Sequence, residues 1–327
     1  MSEDQLTAIP TDRGKGQHAN ERMYVFIVNP EAGRRGTRQL TEQIRKTFRD
    51  CGMSESCEII LTERKDHAIE LARDWGSRLG SRAIIYACGG DGTAHEVANG
   101  LRGTGAALGI IPIGTANDFA RQVLSTTQVP ELLTKLTSPV IRPIDLFTIN
   151  DRICINITSF GLDSKVQMRA ESINRRFHFL GGLVYPISIV LSLFGGREFG
   201  LSYELSCVTP EGTARHESGS SRFVLSAVCN GGYYGGGYHP APDADVSDGL
   251  LDICIVDNVP LREILKLLPL YKAGRHAGHP AVHFFRAKEG VIRATEGDLL
   301  GNYDGEIFKA PSVTFKILPT ELPFAFY

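Results

Sequence analysis

The stretch AIIYACGGDGTAHEVANGL, residues 83–101, decides the fold of this chain. Its first half is a continuous apolar run, typical of a strand buried on both faces, and its second half has helical spacing. The glycines between them let backbone N–H groups approach a ligand that a Cβ would keep away. The helix that follows offers free N–H groups and a positive dipole end, which favour phosphate. Thr93 and Glu96 fit a capping box at its start.

An acid among these glycines favours a nucleotide site over a plain turn between strand and helix. A tight turn from strand to helix needs only one or two glycines and gives no reason for Asp91. A carboxylate that faces phosphates needs a cation between the two groups, so the combination indicates a nucleotide bound with Mg²⁺. The common nucleotide motifs are absent, since no GxxxxGK[ST] occurs and His95 takes the third glycine position of GxGxxG.

Two further turns at strand ends also contain glycine, and we call all three turns corners. In LGIIPIGTANDFAR, residues 108–121, a strand is followed by Gly114, and Thr115 is the expected cap of the next helix. Because the carboxyl ends of parallel strands share one edge of a sheet, we expect this corner and the first to lie close together. VNPEAGRRG, residues 28–36, follows the first strand of the chain and alone is a weak signal.

Outside these corners the first 125 residues alternate between apolar runs and stretches of helical period. The runs cover 24–29, 58–62, 83–88 and 108–113, and the helical stretches cover 37–49, 66–79, 93–101 and 115–123. This alternation predicts a parallel sheet between layers of helices, an α/β domain. After Arg142, short apolar runs separated by turn residues predict a mostly antiparallel second domain, interrupted by helices around 165–194 and 261–273.

The composition excludes several classes of protein. The chain has 327 residues, of which 42% are hydrophobic and 22% charged, so disorder, collagen and a coiled coil are excluded. Its 35 basic and 37 acidic residues give a net charge of -2, so we expect no nucleic-acid partner. The seven cysteines form no CxxC pair and five lie in predicted strands, so we expect reduced, mostly buried thiols in a cytoplasmic protein.

One apolar stretch and its basic surroundings indicate contact with a membrane. Residues 179–196 run for 18 residues without a charge but contain four glycines and a proline, so we expect a buried or lipid-touching helix rather than a span. Residues 165–178 carry four bases against one acid, and residues 262–293 carry seven bases against two acids. Basic segments beside an apolar one are typical of proteins that dock on anionic lipid.

GGDGT at residues 89–93, followed by PIGTANDFAR at 112–121, resembles the diacylglycerol-kinase family of lipid kinases, which includes the sphingosine and ceramide kinases. Four more segments resemble motifs of that family in the family's order: NPEAG at 29–33, SFGLDS at 159–164, PAPDADVSDGLLDI at 240–253 and YDGE at 303–306. GGDGT alone is shared with NAD kinases, whereas the whole set, spread over nearly the full chain, is much more specific.

The resemblance implies an ATP- and Mg²⁺-dependent kinase that phosphorylates the hydroxyl of a lipid alcohol such as diacylglycerol. Such a protein is cytoplasmic and peripheral at the membrane surface, and we expect that it can form a homodimer. The implied organisation begins with a flexible tail over 1–22. An α/β nucleotide-binding domain covers 23–141 and is completed by about 311–327, through a strand at 313–318. A β-sandwich lipid-substrate domain covers 142–310. ATP lies in the cleft between the domains.

The resemblance also implies the residues of the site. The expected ATP contacts are Asn29, Pro30, Glu31, Ala32, Gly33, Thr62, Gly90, Asp91, Gly92, Thr93, Ala94, His95, Glu96 and Thr115. The expected ligands of a structural magnesium ion are Asp245, Asp248 and the carbonyl of Leu250, while Asp163 contacts the lipid alcohol and Glu306 accepts its proton.

The residues themselves support some of these roles. Asp245 and Asp248 stand on a tight turn, where two carboxylates suit a hard cation with oxygen ligands. An alcohol that is phosphorylated must lose a proton, and a carboxylate in the cleft is the usual acceptor. The sequence leaves Glu306 and Asp91 open as that base; we expect Glu306, with Asp91 organising the magnesium–ATP complex.

Two alternatives stay open at this point. A NAD-kinase-like enzyme would act on a soluble nucleotide, but such a substrate gives no reason for the apolar stretch at 179–196. A non-catalytic ATP-binding regulatory protein would not need both Asp91 and Glu306.

Overall fold

The computed structural model describes residues 22–33, 36–176, 184–194 and 199–327. The expected flexible tail lies outside these residues except for Arg22. The first part of the chain alternates strands and helices: β1 (Met23–Val28), α1 (Thr37–Asp50), β2 (Cys57–Leu61), α2 (His67–Leu79), β3 (Ala83–Gly89), α3 (Asp91–Leu101), β4 (Ala107–Pro112), α4 (Asp118–Val123) and α5 (Val129–Leu133). Strand β1 pairs in parallel with β2 and β3, and β3 pairs in parallel with β4, which confirms the predicted α/β sheet.

Helices cover both faces of this parallel sheet. Because side chains alternate along a strand, Phe26 and Tyr86 face the same side, where their rings stack and α1 packs with Ile44 and Phe48. Ile27 faces the opposite side and packs in a second cluster with residues of α2 and α3. The apolar runs of the sequence therefore correspond to strands that are buried on both faces.

Two helices begin at residues other than those predicted. Helix α3 begins at Asp91 rather than Thr93, and α4 begins at Asp118 rather than Thr115, and neither has a side-chain hydrogen bond at its N-cap. The predicted capping box and the predicted Thr115 cap are therefore wrong. A side chain of α3 caps α4 instead, because Asp91 accepts the backbone N–H of Phe119 at 3.0 Å.

The second part of the chain is built mainly from antiparallel strands. Its described elements are β5 (Val140–Ile149), β6 (Arg152–Cys154), β7 (Ile157–Gly161), α6 (Leu162–Arg176), α7 (Val184–Phe194), β8 (Phe199–Val208), β9 (Ala214–Cys229), β10 (Leu251–Asp257), α8 (Leu261–Lys272), β11 (Val282–Ala294), β12 (Leu299–Tyr303), β13 (Glu306–Ala310) and β14 (Ser312–Phe326). Antiparallel pairs join β12, β7, β9, β10 and β11 in that order, which confirms the antiparallel, sandwich-like second domain. The helix expected around 165–194 is described as two helices, α6 and α7.

Strand β14 connects the two parts of the chain. Val313 packs in the core of the second part, whereas Leu322 and Phe324 pack in the core of the first, and Phe324 pairs with Leu108 of β4. The run at 313–318, which by its sequence could pair with either domain, thus packs mainly with the second through Val313, Phe315 and Ile317. The residues after an irregularity in β14 return to the first part of the chain instead.

Helices α6, α7 and α8 cover one face of β9 and β10, and we call them the helical layer. They share one apolar core, formed by Leu162, Val166, Leu193, Ile264, Leu267 and Tyr271 with Val224, Cys254 and Val256 of the strands. Among the described residues, no helix has the length and apolar character needed to cross a membrane. The five cysteines expected in strands are all buried and free, as predicted: Cys88, Cys154, Cys207, Cys229 and Cys254.

The glycine corners after β3 and β4 touch each other. A Cβ at Gly114 would lie 2.4 Å from the Cα of Gly90, and the N–H groups of Ile113 and Gly114 both donate to the carbonyl of Gly89, at 3.0 and 3.1 Å. The prediction that the two corners lie close together is confirmed. Any side chain at Gly114 must push the two backbones apart.

We expect the substitution Gly114→Ala to lower the free energy of unfolding by about 1–3 kcal/mol, because the added methyl group overpacks against backbone atoms. Gly92→Ala is the matched control, since its Cβ meets no atom within 4 Å. It should change the free energy by less than about 0.5 kcal/mol. Urea denaturation measures both, and equal stability of the two variants would contradict the contact between the corners.

Candidate active site

A cleft of about 340 Å³ opens where β1, β2 and β3 end. It is lined by six of the expected ATP contacts, Asn29, Pro30, Glu31, Thr62, Thr93 and Glu96, and also by Glu63, Arg64, Lys65 and Ala68. The other expected contacts do not line the cleft itself: Ala32, Gly33, Gly90, Asp91, Gly92, Ala94, His95 and Thr115. The structure therefore brings the first loop, the end of β2 and the start of α3 together around one cavity.

Asn29 fixes the first loop to α3. Its Nδ2 donates to Thr93 Oγ1 at 3.2 Å, and its Oδ1 accepts the backbone N–H of Glu31 at 2.9 Å. Gly33 has a φ of 66° and passes so close to the end of β4 that a Cβ would lie 2.9 Å from the carbonyl oxygen of Ile113. The loop is thus held between both glycine corners.

Asp91 and Asp118 lie at the N-termini of α3 and α4. Asp91 Oδ1 accepts the N–H of Phe119, whereas its Oδ2 has no hydrogen-bond partner in the described part of the chain. Asp118 Oδ2 accepts the N–H of Gly236 at 2.8 Å; burial raises the pKa of Asp118, and the charge of Asp91 adds to that rise. No atom lies within 4 Å of a Cβ built at Gly92, so the backbone there is open to a ligand.

Asp304 is a buried carboxylate that joins the two parts of the chain. Its Oδ2 accepts hydrogen bonds from Nδ1 of His95 in α3 at 2.8 Å and from the N–H of Ile155 at 2.7 Å. Its Oδ1 accepts the N–H groups of Asn156 and Ile157 at 3.0 and 3.1 Å. Both carboxylate oxygens are therefore satisfied, as a buried charge requires.

His95 and Asp304 stabilise each other's charge. Burial lowers the pKa of His95, but the hydrogen bond and the charge of Asp304 outweigh it, so the pKa lies above its ordinary value. Burial raises the pKa of Asp304, but the hydrogen bond and the charge of His95 together with the N–H of Ile155 outweigh it, so the pKa lies below its ordinary value. The second ring nitrogen of His95 lies 3.3 Å from Asn99 Nδ2. The ring of His95 is thus used within the protein, and an ATP contact through it is not supported.

Glu306 follows Asp304 by two residues, at the start of β13. Its Oε1 lies 2.7 Å from Nζ of Lys65, and its Oε2 accepts the hydroxyl of Tyr303 at 2.6 Å and lies 3.6 Å from Arg152. The hydrogen bond from Lys65 lowers the pKa of Glu306, although partial burial opposes it. The carboxylate is therefore ionised at neutral pH, in the state that can accept a proton.

Asp163 stands in the first turn of α6. Its Oδ1 accepts the N–H of Ser164 at 2.7 Å and its Oδ2 is buried; burial raises the pKa of Asp163, and the nearby hydroxyls of Ser159 and Tyr234 oppose that rise. One turn further along α6, Gln167 Nε2 donates to the carbonyl of Gly305 at 2.6 Å. Asp163, four residues before Gln167, lies on the same side of α6, and its carboxylate is close to the hydroxyls of Ser159 and Tyr234.

The expected magnesium ligands share one turn but have other partners. Asp245 Oδ1 accepts the N–H and the hydroxyl of Ser247, at 3.0 and 2.7 Å. Asp248 Oδ1 accepts the N–H of Leu250 at 3.0 Å, and its Oδ2 accepts the guanidinium of Arg286. Within the described ranges, no group of three or more His, Cys, Asp and Glu side chains is arranged to hold a metal ion. The predicted structural magnesium site consists of two carboxylates and one backbone carbonyl and stays a prediction; in the structure Arg286 supplies a positive charge beside Asp248.

Comparison with known proteins places the chain in a family. The family model described as the diacylglycerol kinase catalytic domain matches residues 23–149, and the one described as the YegS C-terminal NAD kinase beta sandwich-like domain matches residues 156–326. The chain therefore belongs to the lipid kinase family that combines these two domains, as the resemblance of its motifs predicts.

Individual relatives agree with this assignment. A probable lipid kinase YegS-like of Pseudomonas aeruginosa (strain UCBPP-PA14) is 31% identical over 73% of this chain and 75% of its own length. A diacylglycerol kinase of Bacillus subtilis is 28% identical over 86% of this chain and 88% of its own. The crystal structure of a diacylglycerol kinase from Bacillus anthracis has the same fold, with a TM-score of 0.69 at 20% identity over 94% of this chain and 97% of that one.

Several contacts of the site could not be predicted from the sequence. Lys65 is an ordinary surface lysine by sequence, and only the fold brings it to Glu306. His95 and Asp304 are 209 residues apart, and no pattern in a single sequence pairs them. The one available signal is the Asp-Gly pair within YDGE, which is typical of a two-residue hairpin turn and has positive φ at both residues, 43° and 97°.

The pair of His95 and Asp304 makes the stability of the protein depend on pH. Since the folded pKa of His95 is raised, its contribution is fully present below the unfolded value of about 6.5 and is lost as the pH rises through the folded value. The difference in free energy of unfolding between the wild type and His95→Gln should therefore shrink between about pH 6 and pH 9.

Urea denaturation across this pH range measures the difference. His216→Gln, at an exposed histidine of β9, is the control and should leave the free energy of unfolding unchanged. A difference for His95→Gln that stays constant, or grows, with rising pH would show that no charged pair forms in the folded protein.

Proposed function

We propose that this chain transfers the γ-phosphoryl group of ATP, bound with Mg²⁺, to the hydroxyl of a lipid alcohol such as diacylglycerol at a membrane surface. The position of Glu306 carries the proposal. Its carboxylate meets Lys65, which lines the nucleotide cleft, while its hairpin is bound through Gln167 to the helix that begins beside Asp163. A proton acceptor at the junction of two sites is what transfer between two substrates requires.

On the nucleotide side, the cleft accepts ATP with its phosphates at the N-terminus of α3. The open backbone at Gly92 and the free N–H groups of the first helical turn suit phosphate oxygens. The unpartnered Oδ2 of Asp91 is the oxygen ligand that Mg²⁺ prefers, so this residue fits a magnesium ion bound with ATP. When bound, Mg²⁺ neutralises the charge on the phosphoryl group. Lys65 adds a positive charge at the rim of the cleft.

On the acceptor side, the hydroxyl of the lipid lies between Asp163 and Glu306. Glu306 takes the hydroxyl proton as the oxygen forms its bond to the γ-phosphorus, and the bond from that phosphorus to the departing ADP oxygen breaks. Asp163, whose carboxylate lies beside the hydroxyls of Ser159 and Tyr234, holds the acceptor hydroxyl in position. The relatives named as a probable lipid kinase and a diacylglycerol kinase support this class of acceptor.

The helical layer supports a lipid acceptor over a soluble nucleotide, because its apolar helix α7 lies beside α6 and hence beside Asp163. The ionised Glu306 and the unpartnered Oδ2 of Asp91 support catalysis over a regulatory role. We also propose that the protein is cytoplasmic and peripheral at the membrane. It can form a homodimer, and it binds no nucleic acid.

We expect Glu306→Gln to lower kcat by about 100-fold or more, because the acceptor hydroxyl loses its base, while the KM for ATP stays within about threefold. Asp163→Asn should act mainly on kcat/KM for the lipid. The measurement is transfer of labelled phosphate from ATP to diacylglycerol, ceramide, sphingosine or polyprenol in mixed micelles, with NAD as the soluble acceptor.

Glu289→Gln is the matched control, because Glu289 is an exposed acid that pairs with Lys316 on β11 and β14. It should keep full activity. Full activity of Glu306→Gln would remove it as the base, and phosphorylation of NAD with no lipid turned over would replace the proposed function by that of a NAD-kinase-like enzyme.

A further inference from the structure

Lys65 is the residue through which the nucleotide cleft meets the proposed base. It lies on the turn between β2 and α2, lines the cleft together with Thr93 and Glu96, and places its Nζ 2.7 Å from Oε1 of Glu306. The ion pair is open to solvent, since the side chain of Lys65 is 69% exposed and that of Glu306 is 37% exposed. Exposed ion pairs contribute little to stability, so another anion at this point can displace Glu306 from the lysine.

The cleft has few positive charges with which to bind phosphates. Its lining contains two bases and three acids: Arg64, Lys65, Glu31, Glu63 and Glu96. The guanidinium of Arg64 binds Glu70 of α2 at 2.6 Å. Lys65 is the other base, and its partner is the residue at which phosphoryl transfer takes place.

The proposed reaction brings the γ-phosphate to Lys65. A base takes its proton from a hydroxyl within about 2.6–3.2 Å, and the oxygen of this hydroxyl attacks the γ-phosphorus. The γ-phosphate oxygens therefore lie near Glu306 during the transfer, and the ammonium of Lys65 already lies at that carboxylate. Lysine is a common phosphate ligand, and the charge-assisted hydrogen bond it forms is strong.

The two oxygens of Glu306 differ in how firmly their partners are held. Oε2 accepts the hydroxyl of Tyr303 at 2.6 Å; Tyr303 is buried, and the guanidinium of Arg152 lies 5.1 Å over its ring. Oε1 meets Lys65, whose ammonium is carried on a flexible four-carbon stem. Oε1 is therefore the oxygen that can change its partner.

The ion pair with Lys65 works against the role of Glu306 as a base. The hydrogen bond from Lys65 lowers the pKa of Glu306, and the charges of Lys65, His95 and Arg152 act in the same direction, while partial burial opposes them. A proton acceptor is more effective when its pKa lies closer to the working pH. Departure of Lys65 would raise the pKa of Glu306 and make it a stronger base.

We propose that Lys65 is a further catalytic residue, which exchanges Glu306 for the γ-phosphate when ATP binds. In the free protein its ammonium pairs with the carboxylate. In the ATP complex the ammonium binds oxygens of the γ-phosphate, and Oε1 of Glu306 is free to accept the proton of the acceptor hydroxyl. The inference rests on the proposed function, because it concerns the same site, and it couples the availability of the base to the presence of ATP.

The first test is the binding of ATP and of ADP, each with Mg²⁺, to the full chain in the absence of an acceptor, measured by titration calorimetry. In Lys65→Met, the Kd for ATP should rise about tenfold, because a charged contact is lost, while the Kd for ADP stays within about threefold. Lys65→Arg keeps the charge and should retain the preference for ATP.

Lys316→Met is the matched control, because Lys316 is a lysine of similar exposure that pairs with Glu289 at 3.2 Å. It should bind both nucleotides as the wild type does. A loss that is equal for ATP and ADP in Lys65→Met would show a structural role, and no loss for either nucleotide would show no contact with phosphate. Either result would overturn the inference.

The second test follows the ionisation of Glu306 by ¹³C NMR of protein labelled at glutamate Cδ, with Glu306→Gln to assign the signal. Addition of the non-hydrolysable analogue AMP-PNP with Mg²⁺ should raise the pKa of Glu306 more in the wild type than in Lys65→Met. The phosphate charge acts in both proteins, but only the wild type also loses the contact with the lysine. Equal rises would show that Lys65 stays paired with Glu306 and would refute the exchange.

The outcomes separate this inference from the proposed function. Wild-type protein that phosphorylates diacylglycerol, together with a Lys65→Met variant that binds ATP as the wild type does, would refute the exchange and leave the proposed function in place. If Lys65→Met loses affinity for ATP alone and the NMR titrations differ as expected, but the wild type phosphorylates no lipid, the exchange is supported and the proposed function is overturned.

Discussion

The buried carboxylate of Asp304 is the constraint on which the site depends. It accepts hydrogen bonds from His95 of the first part of the chain and from three successive backbone N–H groups of the second, 155–157. Removing one partner of such a buried pair typically costs about 3–5 kcal/mol, because the remaining charge is left without compensation. Since Glu306 stands two residues away on the same hairpin, the anchor that joins the two parts of the protein also fixes the proposed proton acceptor relative to the cleft.

The acids of the predicted nucleotide motifs also contact neighbouring helices and loops, in addition to their proposed role toward the ligand. Asp91 of α3 satisfies an N–H at the start of α4, and Glu96 of the same helix lies near the backbone N–H groups of Asp66 and Ala68 at the start of α2, which oppose the rise that burial causes in its pKa. Asp118 of α4 in turn holds the glycine loop at Gly236. Helix termini that lack caps of their own thus meet side chains of neighbouring elements, and these contacts order the edge of the sheet that borders the cleft.

The sequence predicted those parts of the molecule that depend on local pattern. Continuous apolar runs gave the parallel strands, and the glycines after β3 and β4 gave corners that touch at Gly90 and Gly114. The predicted caps failed because Asp91 and Glu96 act across space, which spacing within one helix does not show. Lys65 beside Glu306 and Arg286 beside Asp248 depend likewise on tertiary placement, and the latter gives the predicted magnesium turn a different charge balance.

The central claim is that Asp304 acts on phosphoryl transfer by positioning Glu306, without touching either substrate. The most direct measurement is the activity of Asp304→Asn, in which the volume is kept and the charge is removed, with ATP affinity measured on the same protein. The account predicts that kcat for diacylglycerol falls by about tenfold or more while the Kd for ATP changes by less than about threefold. An unchanged kcat in a variant that remains folded would contradict it.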